Sequence, residues 1–277
     1  MNGSPVLPPT VDLHCDSILF HLDRRRDLTV WSDEGHLDLP RMREGGLDAE
    51  VFAVFVHPAT HAPGRRLLVA RAGLAGLARL CEEAPGVVRA LSPDELERGR
   101  AEGRLCAIPA VEGGHALDGD IGRLEELHAL GARVLTLTWN NSNELGRSSM
   151  EPDGTGLTAT GREAVRRLNA LGMVADLSHA APETFYDALE VSTVPVICSH
   201  SACRALRDFP RNLDDEALRL LAGQLDGPLA AGRQLNLARL QRVSLVLDML
   251  EDFEAKRLQV DAQVADGGRR DTLALRD

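Results

Sequence analysis

The segment Val11-Asp12-Leu13-His14-Cys15-Asp16-Ser17 reads as a buried β-strand that ends in two side chains able to ligate a metal. Side chains alternate faces along a strand, so His14 and Asp16 share one face and Cys15 takes the other. A single strand end thus offers an imidazole and a carboxylate to one cation. The same design recurs three times. Glu112 follows the apolar run Ala107-Ile108-Pro109-Ala110-Val111 and precedes Gly113-Gly114-His115. His179 ends Val174-Ala175-Asp176-Leu177-Ser178, and His200 ends Pro195-Val196-Ile197-Cys198-Ser199.

Outward from these segments, short apolar runs alternate with helical patterns as far as about residue 222. That alternation is the signature of a parallel sheet built from βα units. The strands are expected at 10–14, 49–56, 106–111, 133–138, 173–177 and 194–198. The intervening helices carry start and stop signals. Ser92-Pro93-Asp94-Glu95 is a capping box with Pro at the first helical position, and Thr160 with Glu163 forms a second. Asp120 is placed to cap the helix carrying Ile121, Leu124, Leu127 and Leu130, which Gly131 ends. The chain has 277 residues and 44% hydrophobic content, which suits an α/β, TIM-like (β/α)8 barrel as one domain over 1–277. In such a barrel the carboxyl ends of the strands carry the active site, and each potential ligand lies at one of them.

A formal net charge of −11 argues against a nucleic-acid or anionic-membrane partner, because both need a positive surface. Lys256 is the only lysine, so Arg carries nearly all the positive charge. The opening Met1 to Thr10 lacks a signal-peptide pattern, and no stretch is long and apolar enough to span a bilayer. The expectation is a soluble, cytoplasmic protein. Cys15, Cys81, Cys106, Cys198 and Cys203 are odd in number and contain no C-x-x-C pair, which suits reduced thiols.

Taken singly, a histidine after a strand is more often a hydrogen-bonded core or loop residue than a ligand. Taken together, His14, Asp16, Glu112, His179 and His200 would meet at one barrel mouth, and imidazole with carboxylate is a donor set suited to zinc. Five donors exceed what one catalytic ion with an open position needs. They suit two ions roughly 3.5–4 Å apart that share a carboxylate and a water, an arrangement able to hydrolyse an unactivated amide.

At this point the chain resembles the membrane dipeptidase (renal dipeptidase) family, zinc peptidase family M19. The matching text is Val11 to Asp16, His36-Leu37-Asp38-Leu39-Pro40-Arg41-Met42-Arg43-Glu44-Gly45-Gly46, Val111 to His115, Leu135-Thr136-Leu137-Thr138-Trp139-Asn140, Asp176 to His179, Ser199-His200-Ser201 and Pro210-Arg211-Asn212. It covers about residues 10–222, leaving 223–277 as a divergent, largely helical or disordered tail. The resemblance implies a barrel of the metal-dependent hydrolase type with two Zn2+ ions bridged by Glu112 and a water or hydroxide. It makes His14 and Asp16 ligands of one ion and His179 and His200 ligands of the other. It also implies a dipeptide substrate, tolerance of a C-terminal D-residue, and a homodimer. Arg211 matches the family arginine that holds the substrate carboxylate, a task guanidinium performs well. Trp139 and Asn140 would line the substrate. His115 reads as structural, and His57 and His61 as loop residues at the pocket's edge.

Two departures from the family pattern stand out. Trp139 occupies a position where some members have a substrate-contacting histidine, and indole cannot transfer protons as imidazole does. In addition, Leu225 to Asp277 does not match the family's last strands or their proton-handling aspartate; Asp226, Asp248 and Asp261 lack a preceding strand, and 237–264 reads as an amphipathic helix. The barrel is therefore expected either to be incomplete at its C-terminal strands or to be closed by the tail in an unfamiliar way. The alternative function is a catalytically impaired metal-binding or scaffold homologue. A barrel acting on cyclic amides is disfavoured, because such enzymes usually open with His-x-His.

Overall fold

Apolar runs punctuated by Gly and Pro become parallel strands in the computed structural model, which describes residues 9–224. The strands are β1 (Val11–Cys15), β2 (Ala49–Phe55), β3 (Val87–Arg89), β4 (Leu105–Glu112), β5 (Val134–Thr136) and β6 (Val174–Asp176). Every pairing is parallel, in the order β1-β2-β4-β5-β6. The helices are α1 (Ser17–Leu22), α2 (Leu39–Glu44), α3 (Arg66–Glu83), α4 (Pro93–Ala101), α5 (Arg123–Ala129), α6 (Ala159–Leu171), α7 (Pro182–Val191) and α8 (Asp215–Gly223). The expected helix at 237–264 and Asp226, Asp248 and Asp261 lie outside the described residues.

Two strand expectations need correction. β3 was not expected, since its segment Val87-Val88-Arg89 has only two apolar residues in a row, where β5 and β6 lie in longer apolar runs. It pairs with Leu105 to Ala107 of β4, while β5 pairs with Ala110 to Glu112 of the same strand. Because β2 occupies the other edge of β4 over Cys106 to Glu112, β3 and β5 divide one edge between them. Pro109 sits where that edge passes from one neighbour to the other, the place where a missing N–H costs least. The run at 194–198 pairs with the sheet only around Ile197, which bridges Asp176. Ile197 donates to Ala175 O at 3.0 Å and accepts from Leu177 N at 2.7 Å. Pro195 has no N–H with which to extend that ladder. Among the described residues this run is the last wall of the sheet and β1 the first.

Register sorts side chains by face. Leu13, Val51, Ile108, Ala110, Val134, Val174 and Ile197 form one buried cluster on the inner face. On the outer face, Phe52, Leu105 and Ala107 pack with Ile18 and Leu77 of α1 and α3. Val54, Val111, Leu135 and Ala175 pack with residues of α3 and α5 to α7. Continuing the inner face toward the strand ends brings Phe55, Glu112, Thr136 and Asp176 into one row, since these four are successive register partners.

Side-chain caps fix the starts of α2, α4, α6 and α8. Ser92 Oγ accepts from Glu95 N at 3.2 Å, and Glu95 Oε2 reaches back to Leu91 N at 2.7 Å. Asp38 caps α2 through Arg41 N at 2.9 Å. The cap of α6 is Thr158, which accepts from Gly161 N at 2.9 Å, in place of the expected Thr160 with Glu163. Thr158 is held there by a second bond, from its hydroxyl to Glu144 O at 2.6 Å. Asp120 accepts from Gly122 N at 3.0 Å and α5 starts after Gly122, so Asp120 acts one turn ahead of the helix. None of the five cysteines forms a disulfide. No helix among the described residues is long and apolar enough to cross a membrane.

Candidate metal centre

β1 carries an irregularity that aims its histidine. Asp12 is paired with Glu50 and Cys15 with Phe52, so Leu13 and His14 together oppose the single residue Val51. Such a bulge breaks strict alternation. Leu13 joins the inner cluster, and the His14 ring still reaches the centre. Asp16 follows the strand and precedes α1, yet its side chain makes no capping bond and stays with His14.

Glu112 is the hub. Its Oε2 lies 3.6 Å from His14 Nε2, while Oε1 lies 3.0 Å from His179 Nε2 and 3.6 Å from His200 Nε2. His14 Nε2 is also 3.6 Å from Asp16 Oδ1. The Nε2 atoms of His179 and His200 face each other at 2.9 Å. Ligand atoms of His14, Glu112 and His200 all lie within 4.8 Å of one another. The structure therefore brings all five expected donors to one mouth. Two carboxylates and three imidazoles converging this closely need cations or protons between them, and the donor set fits a metal ion.

The chain pays for this geometry locally at His179, which adopts φ +69°. A left-handed backbone is uncommon for a non-glycine residue and marks constrained sites. The bend lets the ring turn back onto Glu112 directly after β6. Charge follows burial. Burial pushes the Glu112 carboxyl up to about 7, with His14 pulling the other way. Burial lowers His179 to about 3, helped by Arg211, and lowers His200 to about 4 against the pull of Asp176. Burial would lower His14 too, but the hydrogen bond to Asp16 and the charges of Glu112 and Asp16 raise it.

A ring of supporting residues surrounds the donors. Asp176 is buried beneath His200 and accepts four hydrogen bonds. Ser178 N and Ser199 N reach Oδ1 at 3.0 Å each, and Thr136 Oγ1 and Ser199 Oγ reach Oδ2 at 2.7 Å each. Burial alone would raise this carboxyl, but the neighbouring His200 imidazole and the bonds from Ser199 and Ser178 hold it below the ordinary value. Ser199 Oγ lies 2.8 Å from His200 Nδ1. Asn140 Oδ1 lies 2.9 Å from His179 Nδ1, so this amide oxygen is engaged with the side chain of a candidate ligand.

Arg211 stands at the rim, where Nη2 donates to His200 O at 3.1 Å. Its buried Nε has no partner among the described residues. Trp139 packs on Phe55 and His57, with ring centroids 4.8 and 5.5 Å away, and lies 6.3 Å from the His179 ring. Sequence reasoning missed the wall that Phe55 makes with Trp139, and it missed Asp176 and Ser199 as supports. The available signal was register, since Phe55, Glu112, Thr136 and Asp176 end their strands in one row. His115 is buried with Nε2 2.5 Å from Val56 O, a structural placement as expected.

The family model for membrane dipeptidase (peptidase family M19) matches residues 6–226. Dipeptidase 3 of Homo sapiens is 34% identical over 265 residues, covering 89% of this chain and 52% of the relative. The chain spans about half the length of that curated relative. Among solved structures, dipeptidase AC, a metallopeptidase of family M19, superposes with a TM-score of 0.71 at 29% identity, covering 78% of this chain and 70% of that one. A metallopeptidase from Rhodobacter sphaeroides, liganded with a phosphinate mimic of the dipeptide L-Ala-D-Ala, gives a TM-score of 0.69 at 28% identity, covering 78% and 71%.

Proposed function

The chain belongs to the membrane dipeptidase family, peptidase family M19, and from this we propose that it hydrolyses the amide bond of dipeptides at a pair of zinc ions. The observation that carries the reading is Glu112, whose two oxygens face different histidines, Oε2 toward His14 and Oε1 toward His179 and His200. Glu112 would bridge the ions, His14 and Asp16 completing one site and His179 and His200 the other. Zinc bound there supplies Lewis acidity, making water nucleophilic near neutral pH and polarising the amide carbonyl.

The protein's own groups do the rest. Glu112 would set its carboxylate between the two donor pairs, and Asn140 orients His179. Arg211 offers a guanidinium at the rim to the substrate's terminal carboxylate, a bidentate match. Trp139 with Phe55 gives an apolar wall beside His179. Tolerance of a C-terminal D-residue is supported by the L-Ala-D-Ala mimic bound to the Rhodobacter sphaeroides relative.

The test uses the full chain, stripped of metal and then supplied with zinc, assayed on L-Ala-L-Ala and L-Ala-D-Ala. Hydrolysis that requires zinc and is lost in Glu112→Gln is the expected outcome. Less than about one metal per chain together with no hydrolysis contradicts the proposal. Stoichiometric zinc without turnover selects the metal-binding homologue instead.

A further inference from the structure

We propose that Asp176 sets which nitrogen of His200 carries the proton, acting through Ser199, and so keeps Nε2 bare toward the metal centre. Asp176 is a positioning residue in this scheme, since it touches neither substrate nor the reacting atoms. The inference rests on the metal-centre reading for its purpose, but its geometry stands independently.

The proton route follows from donor and acceptor rules. An ionised carboxylate only accepts, so the Ser199 hydroxyl hydrogen must point at Asp176 Oδ2, 2.7 Å away. Ser199 Oγ is then an acceptor toward His200 Nδ1 at 2.8 Å, and the proton between them must belong to the imidazole. A neutral ring with hydrogen on Nδ1 has a lone pair on Nε2, the atom that faces Glu112 and His179. The Asp176 carboxylate cannot turn to another arrangement, because Oδ1 is fixed by two backbone donors, Ser178 N and Ser199 N. The backbone of His200 is tied in as well, its N–H donating to Ser178 Oγ at 3.1 Å.

This makes Asp176→Asn an unusually informative change. The two backbone N–H groups at the Oδ1 position demand an oxygen, so the amide must place its NH2 where Oδ2 was. That NH2 would donate to Ser199 Oγ, turning the hydroxyl hydrogen toward His200 Nδ1. The imidazole would then carry its proton on Nε2, where it blocks ligation. An isosteric substitution thus reverses the polarity of the whole chain of bonds without removing an atom from the packing.

The experiment reads imidazole 15N shifts of His200 in the metal-free full chain, and zinc affinity by chelator competition on the same samples. The wild type is expected to show a pyrrole-type Nδ1 and a pyridine-type Nε2, and Asp176→Asn the reverse, with zinc held about 10–100-fold more weakly. Thr136→Val removes a bond to the same carboxylate oxygen but leaves the Ser199 route, so it is expected to keep the wild-type shifts. Should Asp176→Asn fail to fold, Ser199→Ala takes its place and is expected to give a mixture of the two ring forms. An unchanged Nδ1–H ring with unchanged affinity in a folded Asp176→Asn or Ser199→Ala protein overturns the proposal. A reversed ring in a chain whose wild type binds no zinc supports the relay and contradicts the proposed function.

Discussion

Glu50 shows at the scale of one residue how burial without a partner sets protonation. It is fully buried on β2, on the outer face beside Phe52, and neither carboxylate oxygen makes a hydrogen bond of good geometry with a described residue. Burial and the negative charge of its register partner Asp12 raise its pKa well above the ordinary value, the Val51 amide working the other way without prevailing. A carboxyl whose pKa is raised by folding favours the native state fully below the unfolded pKa, and loses that advantage as pH climbs toward the folded one. Glu50→Gln is therefore expected to raise Tm more at pH 8 than at pH 5, by about 2–4 °C for each kcal/mol relieved; equal shifts at both pH values would contradict this. Arg211→Ala is expected to raise KM for a free dipeptide about 10–100-fold, since a hydrogen bond to a charged group is worth about 1.5–3 kcal/mol. A C-terminally amidated substrate should lose far less, and equal losses would remove Arg211 from carboxylate binding. Four of the five candidate donors, His14, Glu112, His179 and His200, were legible in the sequence because each follows an apolar run, and Asp16 because it lies two residues beyond His14. Asp176 was not, because an aspartate inside such a run carries no spacing that distinguishes a support from a buried curiosity. Asn140 is a substrate contact on the sequence alone, and only the fold shows its oxygen beside His179 Nδ1.

At the scale of elements, strands were legible where the apolar run was long and failed where backbone chemistry intervened. The bulge in β1 leaves no trace in composition, although it decides how His14 reaches Glu112. The start of α6 offers a sharp discrimination between two threonines. Thr158→Ala is expected to lower stability by about 0.5–2 kcal/mol through loss of the cap, whereas Thr160→Ala should be nearly neutral, as denaturant titration of the two variants would show. Gly161 gives the complementary case. Alanine normally improves a helix interior, but a Cβ here would lie 1.8 Å from Leu145 O, a backbone atom that Thr158 N also binds at 2.9 Å. Gly161→Ala is thus expected to cost about 1–3 kcal/mol, and a stabilised variant would show that the loop at Leu145 yields freely.

For the whole molecule, one sheet with apolar clusters on both faces supports a row of polar side chains at the carboxyl ends of its strands. The core is built from Leu, Val and Ala, and its inner layer ends where Glu112, Thr136 and Asp176 begin. The alternation of strand and helix was readable because short apolar runs alternate with helical patterns, several of them opened by a capping side chain such as Asp38 or Ser92. Which strand neighbours which end of β4 was not, because Pro109 sets that division only in the context of the sheet. Binding to the native state alone stabilises by about 4 kcal/mol at a ligand concentration of 1,000 Kd, so chelation should lower Tm and zinc restore it. Anomalous scattering from zinc-soaked crystals of the full chain at the zinc edge locates the ions directly. Two peaks are expected, one among His14, Asp16 and Glu112 and one among Glu112, His179 and His200; no peak at Glu112, or peaks only elsewhere, would contradict the proposed binuclear centre.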